Sequence, residues 1–117
     1  MQLELLPWYN HSRVSNMPPA ARVGDMVVTG HACTPTTPIA STLQSKVFIG
    51  GPLAAVLGAP LTPHTILSGG SCVPHPGQIV NVGSSKVFIG GIAAARIGDS
   101  ADLGAVSTGF AKVMIGG

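Results

Sequence analysis

The chain has 117 residues, a formal net charge of +2 carried by six basic and four acidic side chains, and 16 Gly with 10 Pro. That length makes one domain near the lower limit for burying its own core, and so weak a charge excludes a nucleic-acid binder, which shows a concentrated basic stripe. A chain so rich in Gly and Pro would read as disordered, but periodic Val/Ile/Phe phrases supply apolar strand faces.

Residues 1–17 stand apart. They hold Trp8 and Tyr9, the only such residues in the chain, together with Glu4, His11 and Arg13, and no copy of any repeat. They read as an arm that covers a sheet edge or docks on a partner. The start has no basic region before its short apolar run, so no secretory signal is expected. No stretch reaches the roughly 18 apolar residues of a membrane span, so no anchor is expected either. The chain reads as made in the cytoplasm.

The domain is expected over residues 18–117. Pro18-Pro19 stiffens the entry into Ala21-Arg22-Val23-Gly24-Asp25, which returns as Ala95-Arg96-Ile97-Gly98-Asp99, with a degraded middle copy in Ala55-Val56-Leu57-Gly58-Ala59. A second phrase runs out of phase with the first. Ser45-Lys46-Val47-Phe48-Ile49-Gly50-Gly51 recurs unchanged from Ser85 to Gly91, and loosely from Ala111 to Gly117. Self-similarity of this kind means one small β-element used three times. No 11-residue stretch free of Gly and Pro carries a 3.6-residue apolar stripe, so the class is all-β. Asp25 and Asp99, each after Gly, read as turn chemistry.

Alternation along each strand phrase puts Val47/Ile49, Val87/Ile89 and Val113/Ile115 on one face and Phe48, Phe88 and Met114 on the other. The β-branched face is expected in the core. The Phe/Phe/Met set would then be three apolar points for a partner to cover.

Residues 29–44 and 61–78 read as two long polar loops, and loops of that length in a small domain are usually functional. Both cysteines and three of the four histidines fall inside them: His31 and Cys33 in the first, His64, Cys72 and His75 in the second. These are borderline and soft ligands suited to a four-coordinate Zn²⁺. Cys72-x-x-His75 has the spacing of a zinc-knuckle arm. Tied by a metal, two loops without an apolar core of their own would be held in place. A disulfide between the cysteines is the alternative, and it needs an oxidising compartment. The two loops contain no Asp or Glu to act as a general base, and no phosphate loop or Ser-His-Asp grouping stands out. The zinc is therefore read as structural and the protein as no enzyme. The rival readings are a zinc-stapled binding module and, further off, a small zinc hydrolase.

The order of these motifs, from ARVGD through two His/Cys loops and two VFIGG phrases to AARIGD and a terminal VMIGG, resembles the PAAR-repeat proteins over residues 18–117. Those proteins cap the spike of contractile injection machines such as phage tails and type VI secretion systems. The resemblance implies a small β-rich cone with pseudo-threefold symmetry, seated on the blunt end of a trimeric β-helical spike, one tip per trimer. It implies transient contact with a target membrane and a place in a virion tail or injection particle. It also implies a zinc near the apex held by three His, here His31, His64 and His75, and one Cys. The segment Gly30 to Pro35 favours Cys33 as that thiolate, and the Cys72-x-x-His75 spacing favours Cys72. With nothing after Gly117, a tip without a fused effector is expected. The middle Gly58-Ala59 departs from the Gly-Asp pattern.

Overall fold

Three copies of one backbone segment close on one another at the centre of the molecule. In a computed structural model, which describes residues 17–117, the Ala21 N–H donates to Ala95 O (2.9 Å), the Ala55 N–H to Ala21 O (2.9 Å) and the Ala95 N–H to Ala55 O (3.0 Å). The ring is cyclic: each copy of the first phrase donates to the copy before it, and the first closes the ring by donating to the third. One step along, the N–H groups of Gly24, Gly58 and Gly98 donate to Ile39, Val80 and Val106 at 2.9, 2.8 and 2.8 Å. The N–H groups of those three acceptors donate back to the carbonyls of Asp25, Ala59 and Asp99. At this step the three glycines have φ of 93°, 89° and 91°, a conformation open to Gly and strained for other residues. That is why Gly58 survives in the degraded copy.

The Asp beside it does not, for an electrostatic reason. In the outer copies Asp25 and Asp99 accept the N–H of Arg22 and Arg96 (both 2.8 Å) and are forked by the same guanidinium groups. In the middle copy both partners are replaced together, by Val56 and Ala59, each fully buried. Losing both leaves no buried charge without its partner, whereas losing one would.

Ten short strands carry this pattern: β1 (Pro19–Ala20), β2 (Met26–Val28), β3 (Thr36–Pro38), β4 (His64–Ser68), β5 (Ser71–His75), β6 (Phe88–Ile89), β7 (Ile92–Ala93), β8 (Ser100–Ala101), β9 (Gly104–Val106) and β10 (Phe110–Met114). There is no helix among the described residues. An antiparallel sheet has the order β3-β2-β9-β8, and β10-β1, β4-β5 and β6-β7 form separate antiparallel pairs.

The core is two stacked clusters. Ile49 and Ile115 lie with Ala20, Ala54 and Ala94, and Ile89 and Phe110 pack against them. The next residues, Ala21, Ala55 and Ala95, begin a larger cluster that continues through Val27, Ile39, Ala59, Leu61, Val80, Ala101 and Val106. Alanine pairs at the junction let three backbones approach closely enough to exchange the ring of hydrogen bonds. Beyond Leu61 the chain runs directly to His64.

Two expectations need correcting. Of the strand phrases, the isoleucines face the core but the valines do not: Val47, Val87 and Val113 are 39, 37 and 36 % exposed. The first two phrases enter through a bend and reach strand pairing only at Phe48, which bridges Leu53, and at β6. Their Val47 and Val87 N–H groups donate to the side chains of Gln44 (2.8 Å) and Ser84 (2.9 Å) instead of a strand ladder. Phe48, Phe88 and Met114 are all exposed, the first two by more than half. Secondly, residues 61–78 are not a loop, since β4 and β5 form a hairpin across a Gly69-Gly70 turn with five paired positions. Pro74, opposite Thr65, is accommodated because it sits in a two-stranded pair where no further N–H is needed. The arm expected over residues 1–17 lies, Met17 apart, outside the described residues.

Candidate metal centre

Three separate segments bring the histidines together. His64 and His75 stand directly opposite each other at the foot of the β4–β5 hairpin. His31 follows β2, where the chain curls around the buried Thr29: the His31 N–H donates to Thr29 Oγ1 (3.1 Å), and that hydroxyl donates to Thr34 O. The curl is fastened to the hairpin by Thr34 Oγ1 and Thr65 Oγ1 (2.9 Å) and by the Thr65 N–H donating to Thr34 Oγ1 (3.2 Å).

The third segment is the turn between β8 and β9, which supplies Asp102. Its φ of 54° is the only positive value at a non-glycine among the described residues, and Asp is one of the few side chains that tolerates it. The turn is drawn against β2 because position 104 is glycine: a Cβ there would lie 1.8 Å from the Val28 carbonyl oxygen. With Leu103 N–H also donating to Thr29 O (3.2 Å), the Asp102 carboxylate enters the space between the histidines. A left-handed non-glycine held in this way points to function.

Around that carboxylate, His31 Nε2 lies 3.0 Å from Oδ1, His64 Nε2 2.6 Å from Oδ2, and His75 Nε2 3.4 Å from Oδ1. One donor atom from each of the four residues falls within 4.8 Å of all the others. The Asp102 and His64 side chains are each 1 % exposed, while His75 is the most open at 24 %. Burial alone would push the Asp102 carboxyl up. Hydrogen bonds from His31 and His64, the charge of His31 and the contact with His75 outweigh it and hold the carboxyl below its usual range.

His64 also shows why a cation fits. Its Nδ1 lies 3.0 Å from Thr62 O and its Nε2 faces Asp102, so both ring nitrogens meet acceptors. A neutral imidazole has a single N–H and can satisfy one of them. When the Nδ1–H is donated to the carbonyl, Nε2 is left to serve as a metal ligand beside the Asp102 carboxylate. Three imidazoles and a carboxylate form a set suited to Zn²⁺ or a similar divalent ion.

The cysteines are elsewhere. Cys33 and Cys72 are joined to each other in a disulfide with Cα atoms 5.9 Å apart, so neither offers the thiolate expected from the sequence. The reason lies in β5. Residues three apart on a strand point to opposite faces, so Cys72 turns away from the side that His75 uses, and the zinc-knuckle spacing loses its meaning. The bridge instead joins the His31 curl to the hairpin, across the same junction that the four donors span. Asp102 was the residue missed. Its signal was faint but present: of the acids after residue 17, Asp25 and Asp99 belong to the repeated phrase, and Asp102 alone does not. His11 lies outside the described residues.

The PAAR motif family model matches residues 29–109, a span that contains all four converging side chains and both cysteines. Among curated proteins none matches the chain. The match covers well over half of the sequence, and the chain belongs to the PAAR-motif family, the spike tips of contractile injection and type VI secretion systems.

Proposed function

We propose that one copy of this chain caps the end of a trimeric β-helical spike and sharpens it for passage through a membrane, as a structural part and not an enzyme. The observation that carries this reading is the cyclic exchange among Ala21, Ala55 and Ala95. A single chain that repeats one element around an axis can offer three similar contacts to three subunits, which a single-copy domain cannot. The exposed Phe48, Phe88 and Met114, one from each copy of the strand phrase, are the apolar contacts in this reading. Burying such side chains is worth about 1.5–3 kcal/mol each.

At the other end of the core, His31, His64, His75 and Asp102 hold a structural divalent ion, with zinc the best match. Four protein donors fill a tetrahedral shell and leave no position for an activated water, the arrangement of structural rather than catalytic sites. When bound, the ion supplies a cross-link between the His31 curl, the hairpin and the β8–β9 turn. The chain's own residues preset that link: Thr62 O orients His64, and the Thr29 curl places His31. The complex of tip and spike, carried in an injection particle, meets the target membrane only in passing.

The test is stoichiometry. Mixed with the trimeric spike protein of its own machine, the chain should form a complex of one tip per trimer by native mass spectrometry. Phe88→Asp should abolish that complex while leaving folding intact. An unfolded Phe88→Asp would return Phe88 to the core, and a complex with equal numbers of both chains would rule out capping.

A further inference from the structure

Every lysine of the chain occupies the same place in the repeat. The sequence has three, Lys46, Lys86 and Lys112, each the second residue of its strand phrase and two before Phe48, Phe88 and Met114. All three are exposed. In the first two copies they are fixed alike: the Lys46 N–H donates to Gln44 Oε1 (2.8 Å) and the Lys86 N–H to Ser84 Oγ (3.0 Å), an acceptor two residues back in both cases.

The charges around them are already committed. Arg22 and Arg96 are paired with Asp25 and Asp99, and Asp102 is enclosed by the three histidines. Among the described residues no side-chain carboxylate is left for a lysine. Three cations of one sign, with no salt bridge among the described residues, each stand two residues from an exposed apolar side chain. A partner with matching anions would use them for orientation and for capture.

We infer that Lys46, Lys86 and Lys112 form a cationic triad that pairs with one carboxylate from each subunit of a threefold protein partner. The inference rests on the spike-tip reading and adds the chemistry of the surface the tip recognises: apolar, and acidic once per subunit. A protein is favoured over an anionic membrane because the lysines recur at one position of the repeat. A sheet of lipid headgroups imposes no such register.

The experiment measures affinity for the trimeric spike protein of the same machine between about 0.05 and 0.5 M NaCl, a range that screens exposed pairs progressively. The Lys46→Gln/Lys86→Gln/Lys112→Gln variant should keep its circular dichroism and melting temperature. It should bind about 10-fold more weakly at the low end, as the loss of three exposed ion pairs requires, with a flattened salt dependence. The triple Lys→Arg variant should bind like wild type. A Gln variant that binds as tightly as wild type, with the same salt dependence, overturns the triad while the one-per-trimer complex still stands. Lysine-dependent binding to phosphatidylserine vesicles combined with lysine-independent spike binding would assign the charges to a membrane and also overturn it. A wild-type chain that fails to bind the spike at any salt removes the capping reading and the triad together.

Discussion

Asp102→Asn separates the carboxylate's charge from its shape. Asparagine tolerates the left-handed backbone that Asp102 adopts at φ 54° and is nearly isosteric, so the turn should persist. What changes is the anion that faces His31, His64 and His75 at 3.0, 2.6 and 3.4 Å. In the metal-free protein the amide can accept from one histidine and leaves others without an acceptor, a loss of about 1–3 kcal/mol for a buried group. Removal of a second-shell partner weakens metal binding about 10–100-fold, so loss of a direct ligand should exceed that. Zinc affinity, measured by competition with a chromophoric chelator, should fall by more than about 100-fold on that scale. The pH dependence follows from the depressed carboxyl. A group whose folded pKa is lowered stabilises the fold fully above its unfolded value, near 3.9 for Asp, and loses that contribution as pH falls through the folded value. The metal-free stability difference between wild type and Asp102→Asn should therefore be constant near neutrality and shrink on acidification below about pH 4. Full zinc affinity in Asp102→Asn would show that the carboxylate is no ligand and refute the assignment.

Two other variants probe the supports of the site. The disulfide closes a separation of 39 residues, for which chain entropy gives about 4 kcal/mol at 25 °C as an upper bound; Cys33→Ser/Cys72→Ser should lower the melting temperature by up to roughly 15–30 °C in a domain of this size while zinc stays bound. A double variant that loses its zinc would place a thiolate back in the metal shell. Gly104→Ala should destabilise severely or prevent folding, because its Cβ would sit 1.8 Å from Val28 O and β9 could not stay against β2; thermal unfolding by circular dichroism reads this directly, and wild-type stability would contradict the close approach.

The repeated phrases made most of the fold legible. Gly24, Gly58 and Gly98 mark the three equivalent turns through their shared positive φ, and Val56 and Ala59 stand where the Arg–Asp pair dropped out as a unit. The histidines were legible because they sit in the two long segments, 29–44 and 61–78, that the repeated phrases bracket. The fourth donor was not, because Asp102 reaches the site only through tertiary contacts: a turn 27 residues after His75 in sequence, pressed onto β2 by the absence of one Cβ. Cysteine spacing misled for a physical reason. Cys72-x-x-His75 implies a shared metal only if the segment turns, and the Gly69-Gly70 hairpin made it a strand, which sends the two side chains to opposite faces. Val47 and Val87 misled similarly, because the alternation assumed extended chain where Gln44 and Ser84 hold a bend at the entry to each phrase.

Zinc K-edge absorption spectroscopy of the purified, metal-loaded protein reads the ligand set of the site itself. About one zinc per chain is expected, with a first shell of nitrogen and oxygen alone, at about 2.0–2.2 Å, from His31, His64, His75 and Asp102. A sulfur scatterer at about 2.3 Å would contradict it, since it would require Cys33 or Cys72 to leave the disulfide and take the place assigned to Asp102.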